Sequence, residues 1–323
     1  MIDISLDQKD KRILFELSIN ARAPLSFIAK KVGVSKQVVK YRVSMLEKRG
    51  VLEGYYVIIN IAKLGYSNYR CFLNFRNVSP ETEQEIVNYC IKIPKIMWVG
   101  QLDGDLDFVF VVLAKNAVEF QEVLENMLNK YGQFFEAKSI SIATYIHHYP
   151  FKFLLGVKSD DELITGGPIN DLSLEETDLK ILKQLTNNAR ASLLEMGTLL
   201  KIHPKVVKYR IDAMVKRGII IGYRTKFNHR LLGYTHHKVN LHLTQVSKDI
   251  LQELAGFIKA LPSSIYLTKA IGTTEIEFEV MVKSNQEFHD LMRDLRFKFS
   301  QYIKTYSTFI IYYEPYINYL PIN

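Results

Sequence analysis

The residues best suited to chemistry form two sets in the same order, 168 positions apart. In the first, Ser35, Lys36, Gln37, Lys40, Tyr41 and Arg42 precede Lys48 and Arg49. In the second, His203, Lys205, Lys208, Tyr209 and Arg210 precede Lys216 and Arg217. The pentapeptide VVKYR lies inside both, at Val38–Arg42 and Val206–Arg210. Long polar and cationic side chains of this kind suit a polyanion. Gln pairs with adenine through two hydrogen bonds, and Lys reaches guanine O6/N7 or phosphate. Arg42, Lys48 and Arg49 lie further along, where phosphate contact adds affinity and salt dependence without sequence information. Such a helix must bury one side and offer the other, and its N-terminal end, to the major groove. Helical spacing predicts Val38, Val39, Val43 and Leu46 as the buried side. Arg42 and Arg210 have a second use, pairing with Asp10 and Asp178 on a preceding helix.

The histidines are the other reactive candidates: His147, His148, His229, His236, His237 and His242. On a strand, His236 and His242 share a face. No HExxH, Cys/His cluster or carboxylate triad accompanies them. They are therefore expected at the surface or at a sheet interface, with no metal. Cys71 and Cys90 form no CxxC pair and suggest no disulfide framework. No cofactor and no catalytic residue is expected.

The elements that must position these residues come from a duplication. Asn20–Ala23 (NARA) falls on Asn188–Ala191, Lys48-Arg49-Gly50 on Lys216-Arg217-Gly218, and Leu64-Gly65-Tyr66 on Leu232-Gly233-Tyr234. Over residues 6–66 about 24 of 61 positions are identical, and the register continues through Pro94/Pro262, Gly104/Gly272 and Phe120/Phe288. The period is too long for a solenoid, so the repeat is a duplicated domain pair. Each copy opens with three short helices. In the first, Leu6, Ile13, Leu14 and Leu17 mark one apolar face. Pro24 suits a helix start, Gly33 a turn and Ser35 an N-cap, the pattern of a helix-turn-helix. VLEGYYVIINI then suits a β-wing. Beyond Gly65 the pattern becomes β-α-β-β-α-β, the ferredoxin-like order. The expected class is α+β, with winged helix-turn-helix domains at 1–60 and 174–228, ferredoxin-like domains at 61–158 and 229–323, and a linker at 159–173.

The chain has 323 residues, a formal charge of +8 and a pI near 9.1, compatible with a polyanionic partner. The start, MIDISLDQKDKRILFEL, has acidic residues and no unbroken apolar core, so a signal peptide is not expected. No apolar run reaches 18 residues, which argues against a membrane span and for a cytoplasmic protein. The tail RFKFSQYIKTYSTFIIYYEPYINYLPIN is dense in Tyr and Ile and is predicted to be buried against another subunit, giving a homo-oligomer.

The head motif GVS-x-x-x-V-x-x-R followed by LEKRGVLEGY, the LGY stretch and the βαββαβ body resemble the Lrp/AsnC (feast/famine) transcription regulators, twice over. The resemblance implies a sequence-specific regulator that binds double-stranded DNA, not an enzyme, modulated by a small amino-acid-like effector. It also implies that one chain imitates a family dimer. In that family the effector signature is a Gly-x-x-Asp turn between two body strands. Here it is matched by Gly104, Asp105 and Asp107, and in the second copy by Gly272, Thr273, Thr274 and Glu275, where Glu replaces Asp. From its residues alone such a turn also reads as an ordinary hairpin. Residues 228–237, NHRLLGYTHH, resemble the sirohaem decarboxylases, which are related to the same family; this makes a tetrapyrrole enzyme the alternative. A third reading is an effector-binding scaffold without DNA contact.

Overall fold

A computed structural model describes residues 4–321. Residues 1–3 and 322–323, the outermost positions of the first and last expected domains, lie outside the described residues. Each copy starts with three helices: α1 (Gln8–Ile19), α2 (Leu25–Val32) and α3 (Lys36–Lys48), then α6 (Glu176–Asn187), α7 (Leu193–Leu200) and α8 (Pro204–Lys216). Local chemistry sets their ends. Asp7 caps α1 by accepting from the Asp10 N–H, Ser35 caps α3, and Ser192 and Glu195 form a capping box on α7. Gly33 ends α2 in the left-handed region at φ +74°. Its counterpart Lys201 takes φ +55°, a conformation that costs a residue with a Cβ about 1 kcal/mol.

The stretch expected as a β-wing forms a strand whose partner lies in the other copy. Strand β1 (Leu52–Ile59) pairs antiparallel with β7 (Ile220–Phe227) of the other copy. The two heads thus share one two-stranded ribbon. The first head core takes in Ala189, Phe227 and Leu232 from the second copy; the second head core takes in Val57, Ile59 and Ile61 from the first. The recurring NARA segment serves the same union. Arg22 donates to the carbonyls of Ala189 and Ala191, and Arg190 to those of Ala21 and Ala23.

The first body comprises β2 (Ser67–Phe75), α4 (Pro80–Lys92), β3 (Ile96–Gly104), β4 (Phe108–Ala114), α5 (Ala117–Tyr131) and β5 (Phe135–His148). The second comprises β8 (Thr235–Leu243), α9 (Lys248–Ala260), β9 (Ser264–Gly272), β10 (Ile276–Val282), α10 (Asn285–Phe299) and β11 (Ile303–Ile317). Their sheets join edge to edge through β3–β11 and β5–β9, and a β2–β5 pairing closes eight strands into a barrel. Period-2 alternation sends Cys71, Leu73, Phe108 and Phe110 outward onto the helices, and Phe72, Val109 and Phe309 into the barrel. The tail that was predicted to need another subunit is largely used within the chain: β11 pairs with both β3 and β8, and Tyr319 stacks on Tyr56 at 4.1 Å. The expected linker is also partly ordered as β6 (Leu163–Gly166), which pairs with β5. Leu163, Ile164 and Thr165 suit a short strand; Thr165 is buried against His148. No described helix is long and apolar enough to cross a membrane.

Candidate functional site

Helices α3 and α8 present the two sets of polar side chains. Ser35, Lys36, Gln37, Lys40, Tyr41, Lys48 and Arg49 are all exposed, as are His203, Lys205, Lys208, Tyr209, Lys216 and Arg217. The helices are anchored by Val39, Val43 and Leu46, and by Val207, Ile211 and Met214. The first valine of each pentapeptide departs from the expected buried side. Val38 is 38% exposed and Val206 41%, because the residue one position before an inward valine is rotated about 100° around the axis. Tyr41 and Tyr209 stand in solvent and do not pack on the ribbon.

Arg42 and Arg210 pair with acids at the start of the first helix of their heads. Arg42 bonds Asp7 and Asp10, both at 2.7 Å, and these hydrogen bonds raise its pKa while Asp7 is held below the usual carboxylate range. Arg210 does the same with Glu175 at 2.7 Å and Asp178 at 3.1 Å. Each arginine therefore ties the third helix of its head to the first. Arg217 donates to the Ser173 carbonyl at 2.7 Å. Lys208 is held by Asp212 one turn along at 2.5 Å, whereas Lys40 has Ser44 at that position.

The two body turns are built as reciprocal clamps. In the first, Asp107 accepts from the Phe75 N–H at 2.7 Å and Asp105 from the Thr308 N–H at 2.8 Å. In the second, Glu275 accepts from the Leu243 N–H at 3.0 Å, and Thr273 meets Ser139 at 2.7 Å. Thr274 is buried and donates to Glu277 at 2.7 Å. A Cβ on Gly104 would strike the Thr308 carbonyl oxygen; one on Gly272 would strike that of Ile140. Glycine is required there because each turn lies against an edge strand of the other body. Gly104, Asp105, Gly272 and Thr273 are nevertheless open to solvent.

The barrel interior holds a charged cluster that the sequence reading missed. Arg70 and Glu277 pair at 2.5 Å with side chains almost wholly buried; Lys238 reaches Glu277 at 3.0 Å and Glu279 at 2.8 Å. Burial opposes charge on Glu279, yet Lys238 and His236 overcome it and hold its pKa below the usual range. His236 is therefore an interior residue bonded to Glu279 at 2.9 Å, not the surface or sheet-interface histidine expected. Burial, helped by the nearby Arg224, pushes His148 down to about 3. Burial likewise takes His229 to about 3 and His237 to about 4. One signal was available: EIEFEV alternates acid with apolar, placing Glu277 and Glu279 on the face opposite Phe278 and Val280. Among the described residues no group of three His, Cys, Asp or Glu is placed to hold a metal ion.

Comparison with known proteins adds relatives and a fold. Residues 6–47 match an AsnC-type helix-turn-helix domain model, and residues 174–221 a winged helix-turn-helix DNA-binding model. The HTH-type transcriptional regulator LrpA of Pyrococcus horikoshii is 34% identical over 128 residues, which is 39% of this chain and 87% of the relative. The proline dehydrogenase transcriptional activator of Rhodobacter capsulatus is 28% identical over 125 residues, 38% of this chain and 81% of that one. Among solved structures, the siroheme decarboxylase NirDL superposes over 95% of this chain and 92% of its own, with a TM-score of 0.62 and 13% identity. At that identity the likeness concerns the fold, two heads and two bodies in one chain.

Proposed function

Because the chain belongs to the Lrp/AsnC family of transcription regulators, in a form that carries head and body twice, we propose that it is a DNA-binding regulator whose α3 and α8 lie in the major groove of duplex DNA. The observation that carries this reading is the outward side of α3: Lys36, Gln37, Lys40 and Tyr41 are exposed at the N-terminal half of a helix anchored by Val39 and Val43. Lys36, Gln37, Lys40 and Tyr41, and Lys205, Lys208 and Tyr209, would meet base edges. Ser35 and His203, Lys48 and Arg49, and Lys216 and Arg217 would meet backbone phosphates. Arg42 and Arg210 hold the helix in place for that contact. The heads differ just before the shared pentapeptide, VSKQ against IHPK, so they would read different bases. The test is a shift of duplex DNA with a steep salt dependence, log K falling by about 0.9 per phosphate neutralised for each unit of log salt. Lys40→Glu with Lys208→Glu should abolish the shift; no retention on DNA at low salt would sink the reading.

A small amino-acid-like effector is proposed at the body turns, where it would compete with the clamp between Asp105 and Thr308. Asp107→Ala should then change DNA affinity only when effector is present. We further read the protein as cytoplasmic and as a homo-oligomer, with the exposed Tyr312 and Tyr313 of the tail strand at the contact; a strict monomer in light scattering would overturn the latter. The chain is read as a regulator and not an enzyme. One observation favours a second reading, the fold shared with NirDL over nearly the whole chain. A tetrapyrrole enzyme would give a coloured preparation with a Soret band after tetrapyrrole addition.

A further inference from the structure

The shared ribbon crosses one end of the barrel, and between them lies a cavity of about 380 Å³. That is within the range of sites that hold small organic molecules, about 300–1,000 Å³. Its polar lining is lopsided. The acids on it are already partnered: Glu279 by Lys238 and His236, Glu314 by the indole N–H of Trp98 at 2.8 Å, and Glu53 by Lys226 at 3.6 Å. Two arginines keep unused donors. Arg70 spends Nη1 on Glu277 and, among the described residues, leaves Nε and Nη2 without a partner. Arg224 donates through Nη1 and Nη2 to the carbonyls of Ser18, Ile19 and His148 and leaves Nε free. Both residues are over nine-tenths buried, at 5% and 4% exposure. Burying a donor without a partner is unfavourable, so these edges call for an acceptor.

The free edge of Arg70 has a shape. Nε–H and Nη2–H project side by side, the fork that takes a carboxylate through two parallel hydrogen bonds. Asn68 supplies the opposite function, a buried and unpartnered Oδ1 that would accept from a ligand O–H or N–H. Trp98, Tyr266, Ile146 and Ile311 give the wall apolar surface, beside the polar side chains of His148, His229, Lys226 and Arg230. We propose that this cavity binds a small organic acid, a carboxylate on a flat apolar body. The acid group is taken by the free edge of Arg70, and the body by Trp98 and Tyr266. The site is distinct from the body turns, and the inference does not rest on DNA binding.

Trp98 is the only tryptophan in the chain and lies on the cavity wall, so its emission reports occupancy without a label. Full-length protein is titrated with phenylacetate, with 1-naphthylacetate by calorimetry, and with the neutral amide of each. Saturable binding of the acids, about tenfold tighter than of the amides, is the expected result. Arg70→Met combined with Glu277→Gln removes both buried charges together and should weaken acid binding by about tenfold. Ile146→Phe leaves every charge in place, fills the cavity and should weaken both acids. Equal binding of acid and amide overturns the proposal, and so does unchanged binding in both variants. No saturable response at millimolar acid overturns it as well. Binding of a porphyrin carboxylate but of neither small acid would overturn the size class and favour the tetrapyrrole reading.

Discussion

Under the 168-residue shift the middle of the outer face of the heads repeats, while the interior of the barrel does not. Lys40 falls on Lys208, Tyr41 on Tyr209 and Arg42 on Arg210, and each pair occupies the same place on its helix. Inside the barrel Arg70 falls on Lys238, but Asn68 falls on His236, Val109 on Glu277, Val111 on Glu279 and Trp98 on Tyr266. In the ribbon over the cavity, Tyr56 falls on Arg224. Two identical subunits could not build this interior. A symmetric pair places every axial group twice, so one Glu277 facing Arg70 would become two of each around one axis. Fusion of the copies frees the interior from that constraint. Heads that keep the same helix placement but differ at Ser35-Lys36-Gln37 against His203-Pro204-Lys205 suit paired half-sites of unlike sequence. An interior that has diverged suits an occupant without two-fold symmetry.

The strongest test of that contrast is the charged core. Glu277→Ala strands the buried charge of Arg70 and should lower stability by about 3–5 kcal/mol, whereas Arg70→Ala should cost less because Glu277 keeps Lys238 at 3.0 Å. Arg70→Met with Glu277→Gln should cost much less, because a neutral pair leaves no charge unpaired. Chemical denaturation of the three variants measures this; equal losses would mean that the pair is not coupled. For the heads the expected effect is smaller and unequal. Lys40→Glu and Lys208→Glu should each weaken DNA binding by roughly tenfold or more. The Lys40 change should be the worse, since Lys208 is already partly neutralised by Asp212 at 2.5 Å. Binding titrations at fixed salt would show the order, and a reversed order would argue that α8 is the principal reader.

Acid should also find the diverged half. His148, His229 and His237 stand where the other copy has Tyr316, Ile61 and Tyr69. Burial holds the three at about 3, 3 and 4, below the ordinary 6.5. A depressed histidine is neutral in the fold and takes up its proton more readily once unfolded. Its contribution is therefore complete above pH 6.5 and is lost as pH falls from 6.5 toward 3. His237→Tyr, which copies Tyr69 into the second body, should flatten the fall of melting temperature across that window. An unchanged slope would place the acid sensitivity elsewhere.

The heads and the body order were legible in the sequence because periodicity, caps and the repeat all agree there. Ser35, Pro24 and Gly33 each mark the boundary that the fold uses. What escaped was pairing between copies. Nothing in VLEGYYVIINI says that its partner strand lies 168 residues away, and NARA shows its use only when Arg22 and Arg190 are seen to reach across. The barrel interior escaped for a related reason. Arg70 within YRCFL and Glu277 within EIEFEV look like the exposed faces of half-buried strands, and only closure of the two sheets turns those faces inward. His236 was misread by the same route.

The smallest expected effect lies at one backbone position where the heads differ. Gly33 and Lys201 close the second helix of their heads with positive φ, +74° and +55°. Nothing lies within 4 Å of a Cβ built on Gly33, so the difference between the two is backbone energy and not a clash. Lys201→Gly should relieve about 1 kcal/mol of left-handed strain, partly offset by the greater freedom of glycine in the unfolded chain. The reverse change, Gly33→Lys, should cost about the same amount. Melting temperatures should therefore move in opposite directions by about 2 °C. If both variants melted lower, Lys201 would owe its place to a contact that its side chain makes, and the two turns would differ in function as well as in strain.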